Sequence, residues 1–248
     1  MRLNLAAVVA DAWAMFRRDR ELLLAFAGPF WFLPSFALAL LVPPPPPLPA
    51  GVEPGSREAV AWVTALGEWL GQQGGWYLLG AGIGAWGTAS LYALYLDRTR
   101  PDARGALKLG AALWPRFMLL NAVTGVMALA GLLLWVVPGI YVLARVLTAG
   151  PALVAERPVG AVAAVGRGFG LSRGAGLPLM GLVAGTLALG WFAPQPLIAL
   201  DDWLRARAGG PNPVALITVD ALAAAIAAAA ALATALIAVA AYRRLAAR

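Results

Sequence analysis

Six long apolar stretches, with lysines and arginines on alternate sides of them, restrict this chain more than any other feature. The stretches cover residues 21–42, 74–96, 116–137, 140–155, 177–200 and 214–242. Most come close to or exceed the ~18–20 apolar residues that a helix rising ~1.5 Å per residue needs to cross ~30 Å of hydrocarbon. Fifteen of the 19 basic residues cluster at the N-terminus (Arg2, Arg17, Arg18, Arg20), between stretches two and three, between four and five, and at the C-terminus (Arg243, Arg244, Arg248). The intervening loops hold only Arg57, Arg205 and Arg207, and Arg145 lies inside a stretch. The positive-inside rule then predicts six spanning helices with both termini cytoplasmic.

Hydrophobic residues make up 61% and charged residues 12%, against roughly 45–50% and 25% in a soluble domain. A single domain of 248 residues cannot hide that much apolar surface from water, so lipid must solvate much of it. The net charge of +7 is accounted for by anionic lipid and by orientation during insertion. No basic stripe interleaved with aromatics exists on a polar segment, which argues against a nucleic-acid partner. The chain has neither cysteine nor histidine. That excludes disulfides, Cys/His zinc sites, histidine haem ligation and imidazole bases. The first apolar run stops at Asp11 without a small-residue cleavage site, so the first span is expected to be a retained anchor.

Residues 3–18 read as an amphipathic helix, with Asn4, Asp11 and Arg18 along one line opposite Leu5, Val9, Trp13 and Phe16. It either lies in the headgroup plane or extends span one and packs on its neighbours. Pro29 and Pro34 should kink span one, and the polyproline run 43–47 reads as a rigid outer spacer. Residues 57–70 form a second amphipathic segment before span two, whose Gly80, Gly82, Gly84 and Gly87 permit close helix approach. Residues 97–115 form a basic inner loop, with Pro115 suited to the first turn of span three. Val137-Pro138-Gly139 reads as a tight turn joining spans three and four. Span five breaks at Pro194-Gln195-Pro196, and a short outer helix is expected over 197–208. The fold class is therefore all-α and polytopic, one integral membrane domain over 1–248. Three helix-hairpin units (1–96, 97–156, 157–248) read as a repeat, with Glu68-Trp69-Leu70 answered by Asp202-Trp203-Leu204.

Only Arg145 and Asp220 lie well inside spans, each about seven residues, or roughly 10 Å, below the outer surface. An unpaired charge there costs at least ~2.5–3.5 kcal/mol, so the two are read as a candidate intramembrane polar pair. One reading makes the pair a site for an anionic headgroup or a proton relay. The other, preferred here, makes it a structural ion pair or a snorkelling pair. Asp201-Asp202 diverge by about 100° on a helix and give no acid/base pair. An intramembrane enzyme would have to rest on Asp220 with Thr218, Thr234 or Tyr141, which lacks a second acid. No motif calls for a metal or cofactor, and no catalytic residue is assigned. The tryptophans read as packing and interfacial anchors. Gly181-x-x-x-Gly185 and the alanine tract 221–235 present small faces for close helix contact.

The run from Pro138 to Arg145, leading to Pro151-Ala152-Leu153-Val154-Ala155-Glu156, carries a resemblance, together with Phe169-Gly170-Leu171-Ser172-Arg173 and Ala12-Trp13-Ala14-Met15-Phe16-Arg17. It resembles a bacterial six-helix membrane family that includes the membrane module of some glycerophosphoryl diester phosphodiesterases and free-standing inner-membrane proteins. The soluble phosphodiesterase barrel, with its metal-binding carboxylates and histidines, is missing, so the hydrolase activity does not carry over. The expectation is a non-enzymatic module that organises or assists envelope and phospholipid-related components, with membrane lipids and a membrane protein as partners. The alternative is a transporter or lipid-translocating protein with a polar site around Arg145 and Asp220.

Overall fold

The computed structural model describes residues 3–49, 51–53, 55–205 and 212–247. It is 84% helical, with no strand among the described residues, so helix-on-helix packing alone builds the core. Helix α1 (Leu5–Ala27) starts where the Asn4 side chain accepts a hydrogen bond from Ala7 N–H at 3.2 Å. It runs through a kink at Asp19 (φ −114°, ψ 24°) straight toward the first span. The amphipathic segment is thus an extension of span one, packed on its neighbours. Its buried face differs from the one expected: Val8, Ala12 and Met15 turn inward, whereas Val9 and Trp13 are 46% and 55% exposed. The smaller side chains let α1 sit close to the last helix.

The proline kink takes a specific form. A π-helical turn, Gly28–Phe32, separates α1 from α2 (Leu33–Leu41), and Leu33 N–H reaches back to the Gly28 carbonyl. Pro29 has no N–H to donate, and the wider turn re-pairs the backbone around it. Beyond α2 the polyproline run is extended and lies along helix α3 (Arg57–Leu96). Trp62 Nε1 donates to the Pro46 carbonyl at 3.1 Å, and Trp69 Nε1 to the Pro43 carbonyl at 3.0 Å. Two tryptophans seven residues apart share one helix face, and the polyproline backbone leaves its carbonyls free to accept. The spacer is therefore strapped down.

Segments expected to be separate are fused. Residues 57–70 and span two form the single 40-residue α3, capped by Ser56 Oγ on Ala59 N–H. The basic inner loop and span three merge likewise into α4 (Ala103–Leu134), capped by Asp102. Pro115 is inside this helix and not in its first turn, because Asp102 starts the helix twelve residues earlier. The turn to α5 (Val136–Val146) falls at Trp135, whose backbone is fully extended, and not at 137–139. Pro138 occupies the first turn of α5, where its missing N–H costs nothing. Gly139 is left free to touch Gly131: a Cβ on Gly131 would stand 2.8 Å from the Gly139 Cα.

Span four is broken at Leu147 and Thr148 and resumes as α6 (Ala149–Ala155). Then come α7 (Ala161–Leu171), α8 (Gly176–Phe192), α9 (Gln195–Arg205) and α10 (Pro213–Ala246). Residues 206–208 of the expected outer helix lie outside the described residues. Among the described residues, five helical segments are long and apolar enough to cross a membrane: Leu5–Leu41, Ala103–Leu134, Val136–Ala155, Gly176–Asp201 and Pro213–Ala246. Helix α3 has the length, but glycine, tryptophan and tyrosine dilute its hydropathy, and it is not among the five.

Two features hold the helices together. Along α3 and α4 the seam is tight: a Cβ on Gly110 would lie 2.1 Å from Ser90 Oγ and 2.9 Å from Ser90 N. The glycines of α3 do admit neighbours, but mostly aromatic side chains: Phe30 fills the place of a Cβ at Gly87, and Trp114 crowds Gly82. At one end, polar bonds gather α1, α10, the last turn of α3 and the α6–α7 link. Arg244 bonds Asp11 at 2.6 Å, Arg243 donates to the Tyr95 carbonyl at 2.7 Å, and Tyr242 donates to Glu156 at 3.0 Å. Arg157 pairs with the buried Asp97, whose other oxygen accepts from Thr99. Arg167 pairs with Glu156 at 2.7 Å, which raises the guanidinium pKa above its ordinary value through the hydrogen bond first and the charge second.

Candidate functional site

Arg145 stands where two helical breaks face each other. One is the Leu147–Thr148 interruption after α5; the other is the turn between α7 and α8, where Gly174 adopts φ +74°. A Cβ on Gly168 would be 3.3 Å from the Arg145 carbonyl, and one on Gly176 would meet Tyr141 at 3.0 Å. In this junction Arg145 Nε donates to Ser172 Oγ at 2.8 Å, Nη1 to Tyr141 Oη at 2.9 Å and Nη2 to the Phe169 carbonyl at 2.7 Å. Its guanidinium also lies 5.1 Å from the Phe169 ring centroid and 5.7 Å from that of Tyr141. The Phe169 carbonyl is one of the last of α7, which no intrahelical N–H reaches. A cation here answers the negative end of the helix dipole.

The expected pair with Asp220 is not formed. Asp220 lies near the N-terminal end of α10, lining a cavity of about 440 Å³ with residues of α2, Pro43 and Pro44. Arg145 is enclosed instead by Tyr141, Phe169 and Ser172, none of which lines the cavity that holds Asp220. Opposite charge at matched sequence depth gave the pairing expectation, but the break in α5 and the α7 terminus supply Arg145 with neutral acceptors first. Thr218 and Thr234 bond back to the carbonyls of Val214 and Ala230, so neither joins Asp220 in an acid/base arrangement. Among the described residues no three carboxylates gather as a metal site would require.

The larger cavity is elsewhere. α1 and α8 splay apart over α10 and leave a lateral groove of about 730 Å³. Its walls are Val9, Trp13, Phe16, Leu24 and Phe32 on one side, Leu189 and Ala193 on the other, and Ala225, Ala229, Ala233 and Ile237 at the back. Every lining side chain is apolar. No protein family, curated protein or solved structure matches this chain. The site's chemistry therefore has to be read from its own residues.

Sequence reasoning missed the groove because its clearest sign was read the other way. The alanine tract was expected to bring helices together. Ala224 and Ala235 do pack inward, but Ala225, Ala229 and Ala233 face the opening. Gly181 and Gly185, expected to support close contact, meet nothing within 4 Å. A usable signal was present in α1, where Val9, Trp13, Phe16 and Leu24 continue one apolar stripe across the kink, interrupted only by Arg17 and Arg20.

Proposed function

We propose that this chain is a non-enzymatic integral membrane module of a bacterial inner membrane that holds or presents phospholipid to envelope components. It has six spans with both termini in the cytoplasm, the sixth being the lower part of α3. The observation that carries this reading is the lateral groove, wholly apolar, about 730 Å³ in volume and open along one flank of the helix bundle. That volume falls within the ~300–1,000 Å³ of small-molecule sites. The resemblance to the membrane module of glycerophosphoryl diester phosphodiesterases supports the same direction. The transport alternative needs Arg145 and Asp220 in one polar path, and their separate surroundings take away its site.

Native mass spectrometry of the protein released gently from its own membrane tests the proposal. A retained phospholipid is the expected result; a chain that carries none would overturn the lipid-handling reading. Because the sequence lacks cysteine, single cysteines placed at the termini and at Ala50 can be labelled without background. The six-span topology expects cytoplasmic labelling at both termini and outer labelling at Ala50.

A further inference from the structure

Resting on that lipid-holding reading, we infer that the groove takes one anionic glycerophospholipid from the leaflet at the basic end, with its phosphate held by Arg17 and Arg20. Apart from the Trp13 indole N–H, the lining accepts acyl chains and offers no hydrogen bond, so ligand selection falls to the groove's rim. Beside the stripe α1 carries three arginines, Arg17, Arg18 and Arg20. Arg18 is committed to Asp19 at 2.8 Å, and on α10 Arg243 and Arg244 are committed to Tyr95 and Asp11.

Arg17 and Arg20 are different. Both are exposed, and neither pairs with a described residue. Arg17 follows Phe16 in sequence and lies one turn after Trp13, and Arg20, just past the kink at Asp19, lies one turn before Leu24; those apolar residues line the groove, and the two arginines border it without lining it. Trp13 stacks on Phe16 with ring centroids 5.4 Å apart, and its indole N–H meets no acceptor among the described residues. Two unspent guanidinium groups and an unspent indole donor beside an apolar channel match a phosphodiester next to two acyl chains. A zwitterionic headgroup would bring its own cation against both arginines.

The test uses the full-length protein in detergent, titrated with dioleoyl phosphatidylglycerol or dioleoyl phosphatidylcholine and read by native mass spectrometry. The wild type should prefer phosphatidylglycerol, and R17Q/R20Q should lose that preference by roughly thirtyfold while still binding phosphatidylcholine. R104Q/K108Q, which removes two cations from α4, should leave the preference unchanged. Ala229→Trp, at an exposed position inside the groove, should lower binding of both lipids. A preference that survives R17Q/R20Q, or falls equally in R104Q/K108Q, overturns the headgroup assignment. Undiminished binding to Ala229→Trp overturns the groove as the seat. Equal binding of the two lipids by the wild type sinks this inference alone; binding of neither sinks the lipid-holding reading with it.

Discussion

The α3–α4 seam and the α1–α8–α10 groove are built from the same small residues and end up as opposites. In the seam, Gly110 takes the Ser90 side chain and backbone into the space where a Cβ would be, and the two helices touch along their length. In the groove, alanines of equal modesty face an opening because α8 arrives only near its end, where a Cβ on Gly190 would be 3.7 Å from the Ala230 methyl. Small residues permit approach without compelling it. What decides is whether a partner helix is held at that height. α4 is tied to α3 by Trp114 Nε1 on the Gly82 carbonyl at 2.8 Å and Trp86 Nε1 on the Leu107 carbonyl at 3.0 Å. α8 is diverted by the junction at Arg145 and by the break at Pro194.

The contrast can be broken most forcefully at Gly110. Gly110→Val should cost ~3 kcal/mol or more through overpacking against Ser90, lowering the melting temperature in detergent by roughly 6–12 °C. A melting curve like the wild type's would show the seam to be looser than described. Next comes Arg145→Leu, which strands the Ser172, Tyr141 and Phe169 acceptors and should cost about 2–3 kcal/mol. Adding Asp220→Asn should be additive within ~0.5 kcal/mol; strong coupling between the two would restore the ion pair that the structure lacks. Trp69→Phe removes one indole bond to the polyproline strap and should cost ~1 kcal/mol, with faster proteolysis of residues 43–53 as the readout. Smallest is Ala229→Leu, which adds bulk to open space and should move stability by less than ~0.5 kcal/mol. A large loss there would mean that the groove closes in the membrane.

Much of the architecture was readable from the chain. The break at Pro194 and the helix that follows it were legible, since proline acts locally. The caps at Asn4, Ser56, Asp102 and Asn212 were not singled out in the sequence, and Asp102 was passed over within a loop, although in each a short polar side chain satisfies the backbone N–H groups of the helix that follows. The position of the α4–α5 turn was misread because Pro138-Gly139 has two uses. Turn chemistry is one, and a first-turn proline beside a contact glycine is the other; only the neighbouring Gly131 distinguishes them. Arg145 was singled out as unusual, yet its partners were not readable. Ser172 and Phe169 are far along the chain and meet it only because α7 ends beside the break in α5.

By itself the order of residues determined that most of these helices would seek lipid and that one end of the bundle would carry the arginines. Apolar run length and charge segregation act segment by segment and need no partner. Which small faces closed, which stayed open, and which arginines were left without an acid was decided only when the helices met. Those outcomes depend on the height and tilt at which one rod lies against another, and no single segment encodes them.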